Sequence, residues 1–256
     1  ARGCDDIIIV DHLESGSLKK RNLANKEYKM YYEKGEFLEL VRDNRLPADV
    51  DCVIHMGACS STALTDAQYY QQNNYEYSCH LARWAVDHKA RLIYASSAAT
   101  YGDGHLGYSD DDQTTRRLKP LNLYGDSKQR FDLWVLDQGL IDRVVGLKFF
   151  NVFGFGERHK KKMSSVVLQA YDQIQQTGQI RLFKSYRDSI PHGHQKRDFI
   201  YIQDVIDVLH FALQKPIERG IFNLGTGRAR TFLDLVHPIF QKLQKPEKIT
   251  FIDMPD

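Results

Sequence analysis

No apolar run in this chain approaches the roughly 20 residues that a membrane-spanning helix requires, and Ile7 to Val10 is among the longest. The first residues also lack the basic, apolar and small-residue order of a secretory leader. A soluble, cytoplasmic protein with no membrane partner is therefore expected. Cysteine is scarce: Cys4, Cys52, Cys59 and Cys79 stand at irregular spacings without a C-x-x-C pair, which excludes the usual zinc frame and a disulfide scaffold. No metal is expected. Charge of one sign is missing too. Lys plus Arg number 35 against 33 Asp plus Glu, a net of +2, too balanced for a dedicated nucleic-acid binder, so an anionic partner must be met locally. Only seven prolines occur among 256 residues that are 42% hydrophobic. That composition excludes disorder and predicts one large domain or two modest ones.

The order of elements carries the fold class. Ile7 to Val10 reads as a buried strand closed by Asp11, and Asp51 to Ala58 as a second. Apolar residues recur at helical spacing from Asp66 to His88, and Arg91 to Ser97 is again strand-like. The pattern predicts a helix over Tyr124 to Leu136 and a strand over Val144 to Phe150. A helix over Ser164 to Gln176, stopped by Gly178, follows. The strand at Asp198 to Ile202 feeds a helix at Val205 to Leu213, and Ile221 to Leu224 precedes a turn and a helix near Phe232 to Leu243. Strands bounded by helices imply parallel crossovers, hence an α/β fold with a mostly parallel sheet.

Ligands in such sheets bind where the carboxyl ends of the strands meet loops. Asp11 ends its strand, where a carboxylate can accept hydrogen bonds from an adenosine ribose. Lys19, Lys20 and Lys34 lie just beyond it and suit an extra phosphate. Tyr94 to Gly102 places hydroxyls at another strand end. Tyr124 and Lys128 stand four residues apart, on one helical face. An ammonium there is expected to favour the phenolate and lower a tyrosine pKa that starts near about 10, which makes Tyr124 a candidate general base. A Tyr and a Lys at this spacing arise easily by chance; behind the serine strand end they carry more weight.

Six clusters then occur in a familiar order: Asp51 to His55, Ser96-Ser97-Ala98, Tyr124-x-x-x-Lys128, Phe150 to Gly154, Arg197 to Val205, and Asn223-x-Gly225-Thr226-Gly227. The chain resembles the extended short-chain dehydrogenase/reductases, which modify nucleotide sugars. More narrowly, Gly57 to Thr62, Asn73 to Ser78, Tyr94 to Gly102 and His159 to Val166 resemble the heptose 6-epimerase branch of that family.

The resemblance implies a Rossmann-like doubly wound parallel sheet with a smaller α/β substrate domain. The NADP-binding domain is expected at residues 1–150 and 198–228, and the substrate domain at 151–197 and 229–256. It implies bound NADP, an ADP-heptose substrate, a homo-oligomer, and oxidation then re-reduction of carbon 6 with no net redox change. By the same resemblance Tyr124 and Lys160 transfer protons, Lys128 supports Tyr124 and holds the nicotinamide ribose, and Ser97 takes the hydroxyl position. Asp11, His12, Lys19, Lys34, Met56, Gly57, Ala58, Cys59, Ser60, Asn73, Val152 and Lys160 fall on cofactor contacts. Asn151, Lys162, Gln169, Phe183, Lys184, Ser185 and Arg197 fall on substrate contacts, with Ser97 shared. Arg197 suits a diphosphate through its paired donors.

Some positions depart from the pattern. His12 stands where Asn is usual, Lys162 where a small or polar residue is commoner, and Gln169 where the branch has His. No G-x-x-G-x-x-G turn exists in the chain, although the family holds its pyrophosphate there. The expectation is that this turn precedes residue 1, that the far end also stops early, and that such a fragment is inactive alone. Dehydratases of the family place an acidic pair after the active hydroxyl, whereas Ala98 and Ala99 follow Ser97. Another nucleotide-sugar epimerase or dehydratase and a noncatalytic module remain the competing readings.

Overall fold

The apolar segments fold as the alternation predicts, and in the computed structural model they can be followed over residues 6–13, 18–46, 49–215 and 220–254. In chain order β1 (Ile8–Asp11), β2 (Met30–Glu33), α1 (Lys34–Arg42), β3 (Cys52–His55), α2 (Ala67–Tyr70) and α3 (Tyr77–Asp87) come first. Next are β4 (Arg91–Ser97), α4 (Asp112–Arg117), α5 (Leu123–Asp137), β5 (Val144–Phe149), β6 (Asn151–Phe153) and α6 (Val166–Thr177). The chain closes with β7 (Ile180–Phe183), β8 (Lys196–Tyr201), α7 (Ile202–Gln214), β9 (Gly220–Leu224), β10 (Ala229–Thr231), α8 (Phe232–Lys242) and β11 (Ile249–Ile252). Two units result: Ala1–Phe149 with His210–Asn223, and Phe150–Leu209 with Leu224–Asp256.

The first unit contains a four-stranded sheet in the order β3-β4-β5-β9 and a separate pair, β1-β2. The pairs β1-β2, β3-β4 and β4-β5 are parallel, as a Rossmann-like α/β fold requires. Leu92 and Tyr94 of β4 and Val144 of β5 pack with Phe37 and Val41 of α1, Leu81 and Trp84 of α3, and Phe131 and Val135 of α5 in one core. The helix expected over 66–88 is interrupted by a π-helical turn, Gln71–Glu76, a form that concentrates at functional sites. Sequence patterning did not single out β2 and α1: β2 reads Met-Tyr-Tyr-Glu and α1 buries only Phe37 and Val41.

The second unit holds a three-stranded sheet, β10-β8-β6, and the pair β11-β7. Of residues 198–228, expected in the first unit, 210–223 group there and 198–209 and 224–228 group with the second. The strand containing Asp198 pairs with β6 in parallel and with β10 antiparallel. The core of this unit joins Ala170 and Ile174 of α6, Ile180 and Leu182 of β7, and Val236 and Phe240 of α8. Gly178 ends α6 in the left-handed region at φ 73°, as its position after the last apolar residue predicts. A reciprocal pair starts α8: Thr231 accepts the Asp234 N–H at 3.0 Å and Asp234 accepts the Thr231 N–H at 2.9 Å. Among the described residues no helix is long and apolar enough to cross a membrane, and no group of three or more His, Cys, Asp or Glu is placed to hold a metal ion.

One close approach sets the spacing of β4 and β5. Gly146 lies opposite Tyr94 in the register, and a Cβ at 146 would stand 2.5 Å from the Tyr94 oxygen. The phenol, held edge-on to Phe131 at 4.8 Å, occupies that space. Gly146→Ala is expected to destabilise the protein by about 1–3 kcal/mol through overpacking, read as a lower midpoint in denaturant; an unchanged midpoint would contradict this packing.

Candidate active site

Asn122 starts α5 by accepting the Gly125 N–H at 2.8 Å. That cap puts Tyr124 in the first turn and Lys128 one turn on. Across from them, β4 ends at Ser97, whose Oγ accepts the Ala99 N–H at 3.1 Å and starts the short helical turn Ala98–Tyr101. The Ser97 side chain lies close enough to Tyr124 to favour its ionised form. Strand end and helix start, read separately in the sequence, therefore meet.

The electrostatics differ from the sequence expectation. The pKa of Tyr124 is raised, not lowered: burial raises it most, the Ser97 side chain lowers it in part, and the nearby Cys59 raises it. The Lys128 ammonium is turned instead to the Ala95 carbonyl, which accepts its proton at 2.7 Å. Lys128 is 4% exposed, and burial brings its pKa down to about 8 while the carboxylate of Asp132 pulls it upward. Tyr124 is thus a neutral phenol at rest. Its ionised form is favoured by Ser97 and opposed by its surroundings.

The loop after β3 is fixed from the π-helical turn. The buried Asn74 accepts the Cys59 N–H at 2.8 Å and donates to the Cys59 carbonyl and to Ser127 Oγ, both at 2.9 Å. Ser127 donates in turn to the Tyr124 carbonyl at 2.7 Å. Asn74 therefore links the loop to the first turn of α5. Sequence reasoning quoted Asn74 within a motif and gave it no role; a carboxamide inside a helix that buries its neighbours was the available signal. Asn73, its neighbour, accepts from Lys34 Nζ at 2.9 Å, so two expected cofactor residues stand together. Met56, Gly57, Ala58 and Ser60 are exposed at the carboxyl end of β3, and nothing lies within 4 Å of where a Gly57 side chain would begin.

At the end of β1, Asp11 Oδ1 accepts from the Lys19 ammonium and from the His12 N–H at 2.7 Å. His12 Nδ1 lies 2.7 Å from Glu33 Oε1, at the end of the neighbouring strand. These groups fit a nicotinamide dinucleotide on their own chemistry. A carboxylate at the strand end suits an adenosine ribose and the Lys19 beside it a phosphate, open backbone after β3 admits close approach, and the Ala95 bond uses one of the three donors of Lys128.

The second unit carries the remaining candidates. Lys160 and Lys162 are exposed in a basic loop in which Lys161 takes φ 50°. Glu157, a buried residue the sequence reading passed over, holds both ends of this loop. It accepts the Ser165 N–H at 2.6 Å, Ser165 Oγ at 2.7 Å and the Gly154 N–H at 3.3 Å. Gln169 donates to the carbonyls of Ser164 at 2.7 Å and Lys162 at 3.3 Å, so it also braces the loop. Asn151 donates to the Asp198 carbonyl at 3.3 Å, and Val152 lies beside it on β6. Phe183 is exposed, Lys184 pairs with Asp253 at 3.0 Å, and Ser185 Oγ is shared with Arg187. Arg197 is exposed on β8 and donates to the Lys196 carbonyl at 2.8 Å. In register it faces Arg230 of β10. Two guanidinium groups on adjacent strands repel unless an anion lies between them, and Arg230 was not singled out from sequence. Asp198 holds the turn after β9, accepting from Thr226 N and Oγ1 and from Gly227 N at 2.6–2.9 Å.

His55 supplies a pH test of the first unit. It is buried, lies 2.8 Å from Ser78 Oγ, and has its pKa brought down to about 3, chiefly by burial and secondarily by Lys128. The native ring is therefore neutral where the unfolded chain already binds a proton. Its contribution is complete above about pH 6.5 and is lost as pH falls toward 3, at roughly 1.4 kcal/mol per pH unit. His55→Gln should remove much of this acid sensitivity in melts between pH 6.5 and 3, and parallel loss in both proteins would contradict the assignment.

Known proteins give an independent view of the same residues. The model of the NAD dependent epimerase/dehydratase family matches residues 1–225. A protein of Nitratidesulfovibrio vulgaris named ADP-L-glycero-D-manno-heptose-6-epimerase is 50% identical over 99% of this chain and 78% of its own length. One of the same name from Fusobacterium nucleatum is 41% identical over 99% of this chain and 79% of its own. The crystal structure of the Helicobacter pylori protein of that name superposes with a TM-score of 0.80 at 29% identity, covering 97% of this chain and 76% of the other. On the ordered strand ends, the Ser97–Tyr124 contact and these matches, the chain is an enzyme of the NAD dependent epimerase/dehydratase family.

Proposed function

We propose that the protein converts ADP-D-glycero-D-manno-heptose to ADP-L-glycero-D-manno-heptose by transient oxidation and reduction at carbon 6, with NADP as the bound nucleotide. One observation carries this reading: Ser97 beside Tyr124, with Lys128 one turn on, stands in a chain half identical over 99% of its length to a protein bearing that activity as its name. A nicotinamide dinucleotide, when bound, accepts hydride from a carbinol carbon and returns it.

The chain's own residues supply the proton traffic and the positioning. Tyr124 ionises first, its phenolate favoured by the Ser97 hydroxyl; the phenolate then takes the carbinol proton and becomes the neutral phenol. Lys128 offers its unused donors to the nicotinamide ribose while Ala95 fixes its direction. Inversion needs a proton-transfer group for each face of the reacting carbon. Tyr124 serves one and Lys160 serves the other. Arg197, joined by Arg230, binds the diphosphate, and Asn151, Lys162, Gln169, Phe183, Lys184 and Ser185 contact the rest of the nucleotide sugar. Met56, Gly57, Ala58, Cys59, Ser60, Asn73 and Val152 border the dinucleotide, whose adenosine end meets Asp11, His12, Lys19 and Lys34. The enzyme works as a homo-oligomer in the cytoplasm.

Tyr124→Phe and Lys160→Met should each slow turnover of the D-glycero nucleotide sugar by about a hundred-fold or more while dinucleotide affinity stays within about two-fold of the parent. Full rate in both variants would remove the assigned roles, and absence of inversion by the parent enzyme would remove the substrate. Cofactor choice is read separately by titration. NADP should bind about ten-fold more tightly than NAD, and Lys19→Ala should erase that difference, since a charge-assisted bond to phosphate is worth about 1.5–3 kcal/mol. Tighter NAD binding by the parent would overturn the choice.

A further inference from the structure

One feature of the first unit plays no part in the mechanism above: the ion pair between Lys148 and Asp132, both 0% exposed. Lys148 interrupts the apolar strand β5, and Asp132 lies one turn beyond Lys128 on α5. Such a pair adds little net stability as a rule, because the cost of taking two charges out of water offsets their attraction, and apolar replacements of similar volume are often neutral or better. Its bonds point in one direction. Asp132 Oδ2 accepts from Lys148 Nζ at 2.8 Å and Ser96 Oγ at 2.7 Å, and Oδ1 accepts from the Tyr94 hydroxyl at 3.0 Å. Lys148 Nζ donates also to Thr100 Oγ1 at 3.0 Å and sits 5.4 Å from the centre of the Tyr101 ring. Thr100 Oγ1 then donates to the Ser97 carbonyl at 2.8 Å. All of these contacts fall on residues 94–101, the segment that carries Ser97.

We propose that Asp132 and Lys148 are positioning residues: through Ser96, Thr100 and the Ser97 carbonyl they hold the end of β4 so that the Ser97 hydroxyl meets Tyr124. The inference rests on the catalytic reading of Ser97 and Tyr124. The charged and titratable groups around the pair are Tyr94 from β4, Tyr101 from the turn after it, and Lys128 from α5, with His55 of β3 beyond Lys128. Tyr94 and Tyr101 are held protonated by burial, and His55 is neutral above about pH 3. Lys128 is therefore the group near Asp132 whose charge changes in the range where the enzyme is assayed, and loss of the carboxylate would lower its pKa further below about 8.

The test cuts the tether without leaving a charge unpaired. Thr100→Val removes the hydroxyl that joins Lys148 to the Ser97 carbonyl, and Thr100→Ser restores it. Thr100→Val should lower kcat about ten-fold or more, as a misplaced catalytic group does, with KM, dinucleotide affinity and melting temperature close to the parent, and Thr100→Ser should recover most of the rate. Combined with Ser97→Ala, Thr100→Val should cost little beyond Ser97→Ala alone, because both act through one hydroxyl. Replacing the pair by Asp132→Leu with Lys148→Met should likewise lower kcat. If that double variant fails to fold, the Thr100 series decides by itself. A slow Ser97→Ala beside a Thr100→Val enzyme of full rate overturns the positioning role alone. Full rate in Ser97→Ala overturns the catalytic reading of Ser97 and this inference together.

Discussion

The chemistry of the first unit depends on α5 being held against the carboxyl end of β4. Lys128 buries an ammonium to reach the Ala95 carbonyl, and Asp132 buries a carboxylate to reach Tyr94 and Ser96. Burying either group alone would be costly. Placed one turn apart on the same helix, they bond successive residues of one strand and thereby fix the helix both along and across it. Ser97, the next residue along the strand, and Tyr124, one turn before Lys128, are brought near one another as a consequence. Gly146 belongs to the same constraint, because its missing side chain leaves room for the Tyr94 phenol that caps Asp132.

Burial shapes the site's electrostatics more than neighbouring charge does. A phenol raised above its ordinary pKa and an ammonium lowered to about 8 are both held toward their neutral forms by desolvation. The phenolate then forms only as the reaction demands it, with Ser97 as its immediate partner. The charged candidates are more exposed within each unit: Asp11 with Lys19 and His12 in the first, and, in the second, the Lys160 to Lys162 loop and Arg197 with Arg230 on neighbouring strands.

Much of this arrangement is legible in the sequence, and the parts that are not share a cause. Alternating apolar runs bounded by polar turns mark β4, β5 and α5 because their side chains are buried on a regular period. The spacing of Tyr124 and Lys128 marks one helical face. What the residues alone do not show is how deep a group lies, and so the direction of the Tyr124 pKa was misread. Strand β2 and helix α1 escaped notice because their buried residues are too few to set a period. The partners of β8 are long-range choices that the strand's own residues do not encode. Lys148 was visible throughout as a charge inside Val-Val-Gly-Leu-Lys-Phe, and Asp132 as the next turn after Lys128. Neither was weighed, because a buried charge declares itself only once its partner is known. Asn74 and Glu157 were missed likewise: Asn74 acts through backbone bonds to a segment fifteen residues away, and Glu157 through bonds that close its own loop.

The central claim is that one carbinol carbon is oxidised and then reduced without exchanging its hydrogen with water. The direct measurement uses substrate carrying deuterium at carbon 6, turned over in ordinary water, with the product read by mass and by proton resonance. The account predicts inverted configuration with the label retained at carbon 6. Inversion accompanied by loss of the label to solvent would contradict it, since that carbon would then have passed through deprotonation and not through hydride transfer.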